Sequence, residues 1–141
     1  MEKPSKRSKE ELREKVLEFE FSRAQLSEIE KRLVELSMKC EELKKIRESL
    51  EELRSGKEKE FLFSFAPGVF VKGKLVENER VLVEIGANIV MQKELDDAQQ
   101  FIEEQIHELE RALQKLSSEY LILGERLKKL APEIEKLLRE R

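Results

Sequence analysis

The chain has 141 residues, of which 42% are charged and 39% hydrophobic, with no Trp and a net charge of −3. That charged fraction, against about 25% in ordinary globular chains, argues against one compact core and for long helices with an apolar stripe and a wide solvated face. Acids and bases are interleaved without a concentrated basic patch, no apolar run approaches the roughly 20 residues that span a bilayer, and the N-terminus lacks the apolar segment of a secretory signal.

Residues 1–9 carry Lys3, Lys6, Arg7 and Lys9 around Pro4, Ser5 and Ser8, and are expected to form a basic disordered tail, or a contact for anionic partners. Residues 10–141 read as a single domain: a helix over 10–54, two β-hairpins over 61–92 and a helix over 95–140. Apolar positions on the first helix are Leu12, Val16, Phe19, Leu26, Ile29, Leu33, Leu36, Cys40, Leu43, Ile46, Leu50 and Leu53. From Leu26 onward every step is three or four, as a coiled-coil seam requires, and Ser22 and Arg23 interrupt that pattern earlier. Cys40, the single cysteine, reads as a small core residue; it excludes an internal disulfide and suits a reducing cytoplasm. Ser55-Gly56 is expected to end the helix, with glycine taking a left-handed cap.

The stretch 61–92 contrasts with its flanks. Phe61, Phe63, Phe65 and Phe70 are four of the seven Phe in the chain. Phe61–Phe65 reads as one strand, Ala66-Pro67-Gly68 as a turn and Val69–Val76 as a second strand. Glu77-Asn78-Glu79 is a further turn. Val81–Ile85 and Ile89–Gln92 then pair across Gly86-Ala87-Asn88. An isolated hairpin is marginal in water, and these strands leave an apolar patch and open edges. The expected remedy is assembly with hairpins of other chains into a closed barrel, through Phe61, Phe63, Phe65, Val69, Val71, Val81, Val83, Ile85, Ile89 and Met91.

The second helix carries an unbroken seam, Ile102, Ile106, Leu109, Leu113, Leu116, Tyr120, Leu123, Leu127, Leu130, Ile134 and Leu137. Asp96 with Gln99 permits a capping box at its start, and Pro132 is expected to kink or loosen its last turns. Each helix is roughly 70 Å long at 1.5 Å per residue. The fold class is α+β: a long antiparallel helical coiled coil with two central β-hairpins that assemble into an intersubunit β-barrel.

Helix, two hairpins, helix, at this length, resembles an alpha-class prefoldin subunit; beta-class subunits have a single hairpin. The match rests on Val69-Phe70-Val71-Lys72-Gly73-Lys74-Leu75, on Val81-Leu82-Val83-Glu84-Ile85-Gly86 and on Leu95-Asp96-Asp97-Ala98. The run from Ile85 to Met91, continuing with Leu95 to Gln99, is especially similar to the eukaryotic subunit-three branch. Ser64, Asn88 and Glu94 stand where many archaeal alpha subunits have Pro, Gly and a capping Ser or Thr. The resemblance implies an ATP-independent cytoplasmic chaperone without cofactor. It implies a hexamer of two alpha-class and four beta-class subunits, whose coiled-coil tips hold non-native proteins and hand them to a group II chaperonin. The tip residues would then be Leu12, Val16, Leu17, Phe19, Phe21, Leu130, Ile134, Leu137 and Leu138. Of these, Leu17, Phe21 and Leu138 fall off the seam and are free to meet clients.

Catalytic or metal chemistry finds no support: His107 is the one histidine, lies off the seam, and has no nearby cysteine, paired carboxylate or phosphate loop. The remaining alternatives are a prefoldin-like scaffold that builds filaments or joins a regulatory complex, and a nucleic-acid-binding helical arm, which would need a basic tip that the sequence does not show.

Overall fold

The computed structural model describes residues 6–140. The elements run α1 (Lys6–Arg54), β1 (Glu60–Ala66), β2 (Val69–Lys74), β3 (Arg80–Gly86), β4 (Ile89–Glu94) and α2 (Leu95–Arg139). α1 therefore includes Lys6–Lys9, which the sequence suggested for a disordered tail; residues 1–5 of that tail lie outside the described residues. Two compact units result. One pairs α1 up to Met38 with α2 from Glu110. The other, 39–109, holds both hairpins and the adjoining helix segments.

In the helix-pair unit, Leu12, Ile29 and Leu130 are buried, and Leu26, Leu33, Leu113, Leu116, Leu123 and Leu127 are half-buried. Full burial of such a side chain is worth roughly 1.5–3 kcal/mol, and the half-buried ones gain part of that. Polar pairs flank this seam. The Tyr120 hydroxyl donates to Glu30 at 3.0 Å, Arg126 Nε to Glu18 at 2.8 Å and Lys15 Nζ to Glu133 at 2.9 Å. Partners fall along α1 as they rise along α2, so these segments run antiparallel. Ser22 is itself buried. The sequence suggested that it interrupts the seam; counted back from Leu26 and Ile29 in steps of four and three, it occupies a seam position. α2 continues through Pro132 to Arg139 without a break.

In the hairpin unit the core is Cys40, Leu43, Leu95, Ala98, Ile102 and Ile106. Three–four spacing from Cys40 and Leu43 leads to Arg47, Leu50 and Arg54 rather than to Ile46 and Leu53. Arg47 bonds Glu103 at 3.2 Å, and Arg54 bonds Asp96 and Gln99. Ile46, expected on the seam, is 44% exposed and faces the β3 side, where it lines a groove with Leu50, Leu53 and Val81. Gln99 also donates to Glu51 at 2.9 Å, so its amide serves the helix pair and not the capping box that the sequence suggested.

Each hairpin is its own two-stranded antiparallel sheet, closed by a two-residue turn with an irregularity just before it. In the first, Ser64 pairs with Phe70 but Ala66 with Val69, leaving Phe65 bulged; Pro67-Gly68 turns with Gly68 at φ +76°. The second repeats this with Ile85 bulged. Its turn, Ala87-Asn88, has φ of +49° and +61°, a conformation that asparagine tolerates better than most residues. β2 stops at Lys74, short of the expected Val76, whose side chain is fully exposed.

The link between the hairpins ties the helix ends together. Asn78 Nδ2 donates to the carbonyls of Leu53 and Arg54, both at 3.2 Å, and so caps the C-terminus of α1. The Leu95 amide donates to the Glu79 carbonyl at 2.8 Å, starting α2 directly from β4. Gly56 is not in the left-handed region expected of a helix cap; a positive φ appears at Glu58 instead. The reason for glycine at position 56 is space, because the Phe61 ring packs against it.

Candidate functional site

Among the described residues, two apolar surfaces gather the side chains that the sequence marks out, and a further patch on α2 exposes Leu121 and Ile122. The first lies in the helix-pair unit. Val16, Phe19, Ala131, Ile134 and Leu138 line a groove of about 420 Å³ rimmed by Glu20, Arg23 and Glu135. Leu17 and Phe21 stand outside it, 57% and 71% exposed, because both lie off the seam. Leu137 is half-buried. Leu12 and Leu130, expected among the contact residues, are core side chains in this structure: Leu130 has no exposed surface. Their seam positions place them between the helices.

The second surface lies on the hairpins. Val81 and Val83 are half-buried and, with Leu43, Ile46, Leu50, Leu53 and Phe101, line a groove of about 640 Å³. Phe61 and Phe63 pack at 6.3 Å between ring centroids, and Phe63 also covers Gly73. Phe65, Val69, Val71, Ile85, Ile89 and Met91 are exposed. So are Leu62, Phe70, Leu82 and Val90 from the opposite phase of the strands, which sequence reasoning left out of the surface. Apolar residues on both phases of one strand were the available signal, since a half-solvated sheet alternates. Lys93 sits 4.3 Å over the Phe101 ring and covers part of the helix start.

Electrostatics on these surfaces is structural. The Arg126 guanidinium holds the Glu18 carboxyl below its usual range, and Lys15 does the same for Glu133. Among the described residues no three His, Cys, Asp or Glu side chains gather as metal ligands, and no helix is long and apolar enough to cross a membrane. His107 is exposed on α2.

Antiparallel helix segments joined through two consecutive β-hairpins, with apolar surface at both places, define an alpha-class helical-hairpin subunit. The prefoldin subunit family model matches residues 22–140. Prefoldin subunit alpha of Pyrococcus horikoshii is 27% identical over 123 residues, 86% of this chain and 83% of its own length. Prefoldin subunit alpha 1 of Thermococcus kodakarensis is 32% identical over 98 residues, 69% of this chain and 67% of its own. A cryo-EM structure of filamentous prefoldin from Methanocaldococcus jannaschii superposes with a TM-score of 0.55 at 25% identity, covering 92% of this chain and 99% of that one. The chain belongs to the prefoldin family, as an alpha-class subunit.

Proposed function

We propose that this chain is a subunit of an ATP-independent cytoplasmic holdase that binds non-native proteins at the ends of its helices and delivers them to a group II chaperonin. It would assemble through its hairpins with four beta-class subunits and a second alpha-class subunit. The observation that carries this reading is the exposure of Leu17, Phe21 and Leu138 beside the Val16–Ile134 groove. Apolar side chains that finish no seam are free to meet apolar segments of another chain, and contiguous apolar patches mark interaction sites. The reading assigns no catalytic residue and needs no cofactor. Replacing Phe21 and Leu138 with Ser should reduce suppression of client aggregation while the mass of the assembly stays the same. Unchanged suppression would remove the helix ends from the mechanism.

Similarity to a filamentous prefoldin supports a second reading, a subunit that builds open-ended polymer without holding clients. Native mass spectrometry of the chain mixed with a beta-class partner separates the two: a discrete hexamer favours the holdase, a ladder of growing masses the scaffold.

A further inference from the structure

Over its first heptads the α1 seam is only half apolar. One column reads Leu12, Phe19, Leu26; the other reads Lys15, Ser22, Ile29. Ser22 is buried where a leucine would ordinarily zip the helices. The same segment carries two cross-helix ion pairs of opposite polarity, Lys15–Glu133 at 2.9 Å and Glu18–Arg126 at 2.8 Å, the second bidentate with another contact at 3.1 Å. The four charges act as one cluster, because Glu133 is held in its charged form first by Lys15 and further by Arg126, and Glu18 first by Arg126 and further by Lys15. On α2 the segment contains Pro132, which lacks the N–H that would bond one turn back. In the same segment Leu12 and Leu130 are 6% and 0% exposed.

We propose that residues 6–22 of α1 and 126–139 of α2 form a charge-latched jaw, held closed by the Lys15–Glu133 and Glu18–Arg126 pairs in place of a full apolar seam, which opens to offer Leu12 and Leu130 to a non-native chain. The jaw itself follows from the seam and the ion pairs; its use on clients rests on the holdase reading. Exposed ion pairs are individually weak, so the latch sits where modest forces decide between closed and open. Clients would thus meet Leu17, Phe21 and Leu138 first and the deeper leucines second.

The test is amide hydrogen exchange by mass spectrometry on the full chain in its native assembly. Arg126→Glu places a third acid beside Glu18 and Glu133 and should raise exchange in 6–22 and 126–139 by roughly fivefold or more. Ser22→Leu adds an apolar side chain to the second seam column, leaving Lys15 as its one polar member, and should slow exchange there; 39–109 should be unaffected by either change. Anisotropy of labelled, reduced α-lactalbumin, a permanently unfolded probe, should show tighter capture by Arg126→Glu and weaker capture by Ser22→Leu. Exchange that neither variant moves overturns the latch. Exchange that moves while capture does not overturns its role in client binding. A wild-type chain that captures no probe, yet shows the expected exchange changes, refutes the holdase reading and leaves the latch in place.

Discussion

The Phe61 ring lies against Gly56 so closely that a Cβ at position 56 would come within 2.4 Å of its Cζ atom and 2.8 Å of the Glu52 carbonyl oxygen. This contact joins the end of α1 to the first strand of the first hairpin. Gly56→Ala should therefore destabilise the chain by about 1–3 kcal/mol, the usual cost of forcing extra volume into a packed site. Thermal unfolding at fixed concentration measures it. Pairing the change with Phe61→Ala should recover part of the loss, because one of the two obstructing groups is then gone; strictly additive losses would show that the ring is not the obstacle.

Asn78 makes the complementary connection from the link between the hairpins. Its amide donates to two carbonyls of the last turn of α1, that of Arg54 and that of Leu53, which also accepts from the Gly56 amide at 3.2 Å. Asn78→Ala should cost about 1–2 kcal/mol. Asn78→Asp should cost more, since a carboxylate cannot donate and would face both carbonyl oxygens and the negative end of the helix dipole. Equal losses for the two variants in a denaturant titration would mean that the side chain acts by filling space.

What the sequence made legible was periodicity. The α2 seam from Ile102 to Leu137 and the four strands follow from spacing alone, because side-chain direction repeats every 3.6 or 2 residues. Three features escaped it. At Ser22 spacing and hydrophobicity disagree: the position belongs to the seam while the side chain is polar. The chemistry of Ile46 suits the seam, but α1 presents Arg47 to α2 and turns Ile46 toward β3. Bulges at Phe65 and Ile85 break strand alternation through backbone hydrogen bonding, which a pattern of side chains does not encode. Of the candidate contact residues, Leu17, Phe21 and Leu138 were legible as off-seam and are exposed. Leu12 and Leu130 lie near the helix ends, where burial depends on the partner helix, and both are buried.

Burial ranks the α2 positions sharply. Leu130 is fully enclosed while its neighbour Lys129 is exposed. Leu130→Ala should lower stability by about 2–4 kcal/mol, from lost transfer free energy and the cavity left behind. Lys129→Ala should stay within about 0.5 kcal/mol. Urea unfolding followed by circular dichroism distinguishes them, and similar midpoints for both would contradict the closed seam at this level.

The cross-helix ion pairs set the direction of pH dependence. The Glu18 and Glu133 carboxyls are held below their ordinary range, chiefly by hydrogen bonds from Arg126 and Lys15. A depressed folded-state value means that their contribution is complete above the ordinary glutamate range, near pH 4.3, and is lost as pH falls through the lower folded value. Lys15 is raised, chiefly by its hydrogen bond to Glu133, so its contribution is complete below the ordinary lysine range, near pH 10.4, and is lost as pH rises through the higher folded value. Tyr120 is raised as well, chiefly by its hydrogen bond to Glu30, and behaves in the same alkaline sense. Hydrogen exchange in 6–22 and 126–139 should therefore be slowest at intermediate pH, once corrected for intrinsic rates, and should accelerate toward acid. Replacing both Glu18 and Glu133 with Gln should speed exchange at neutral pH and flatten the acid arm, because the groups that titrate there are removed. An acid arm of undiminished steepness in that double variant would assign the pH response to other carboxylates of the chain.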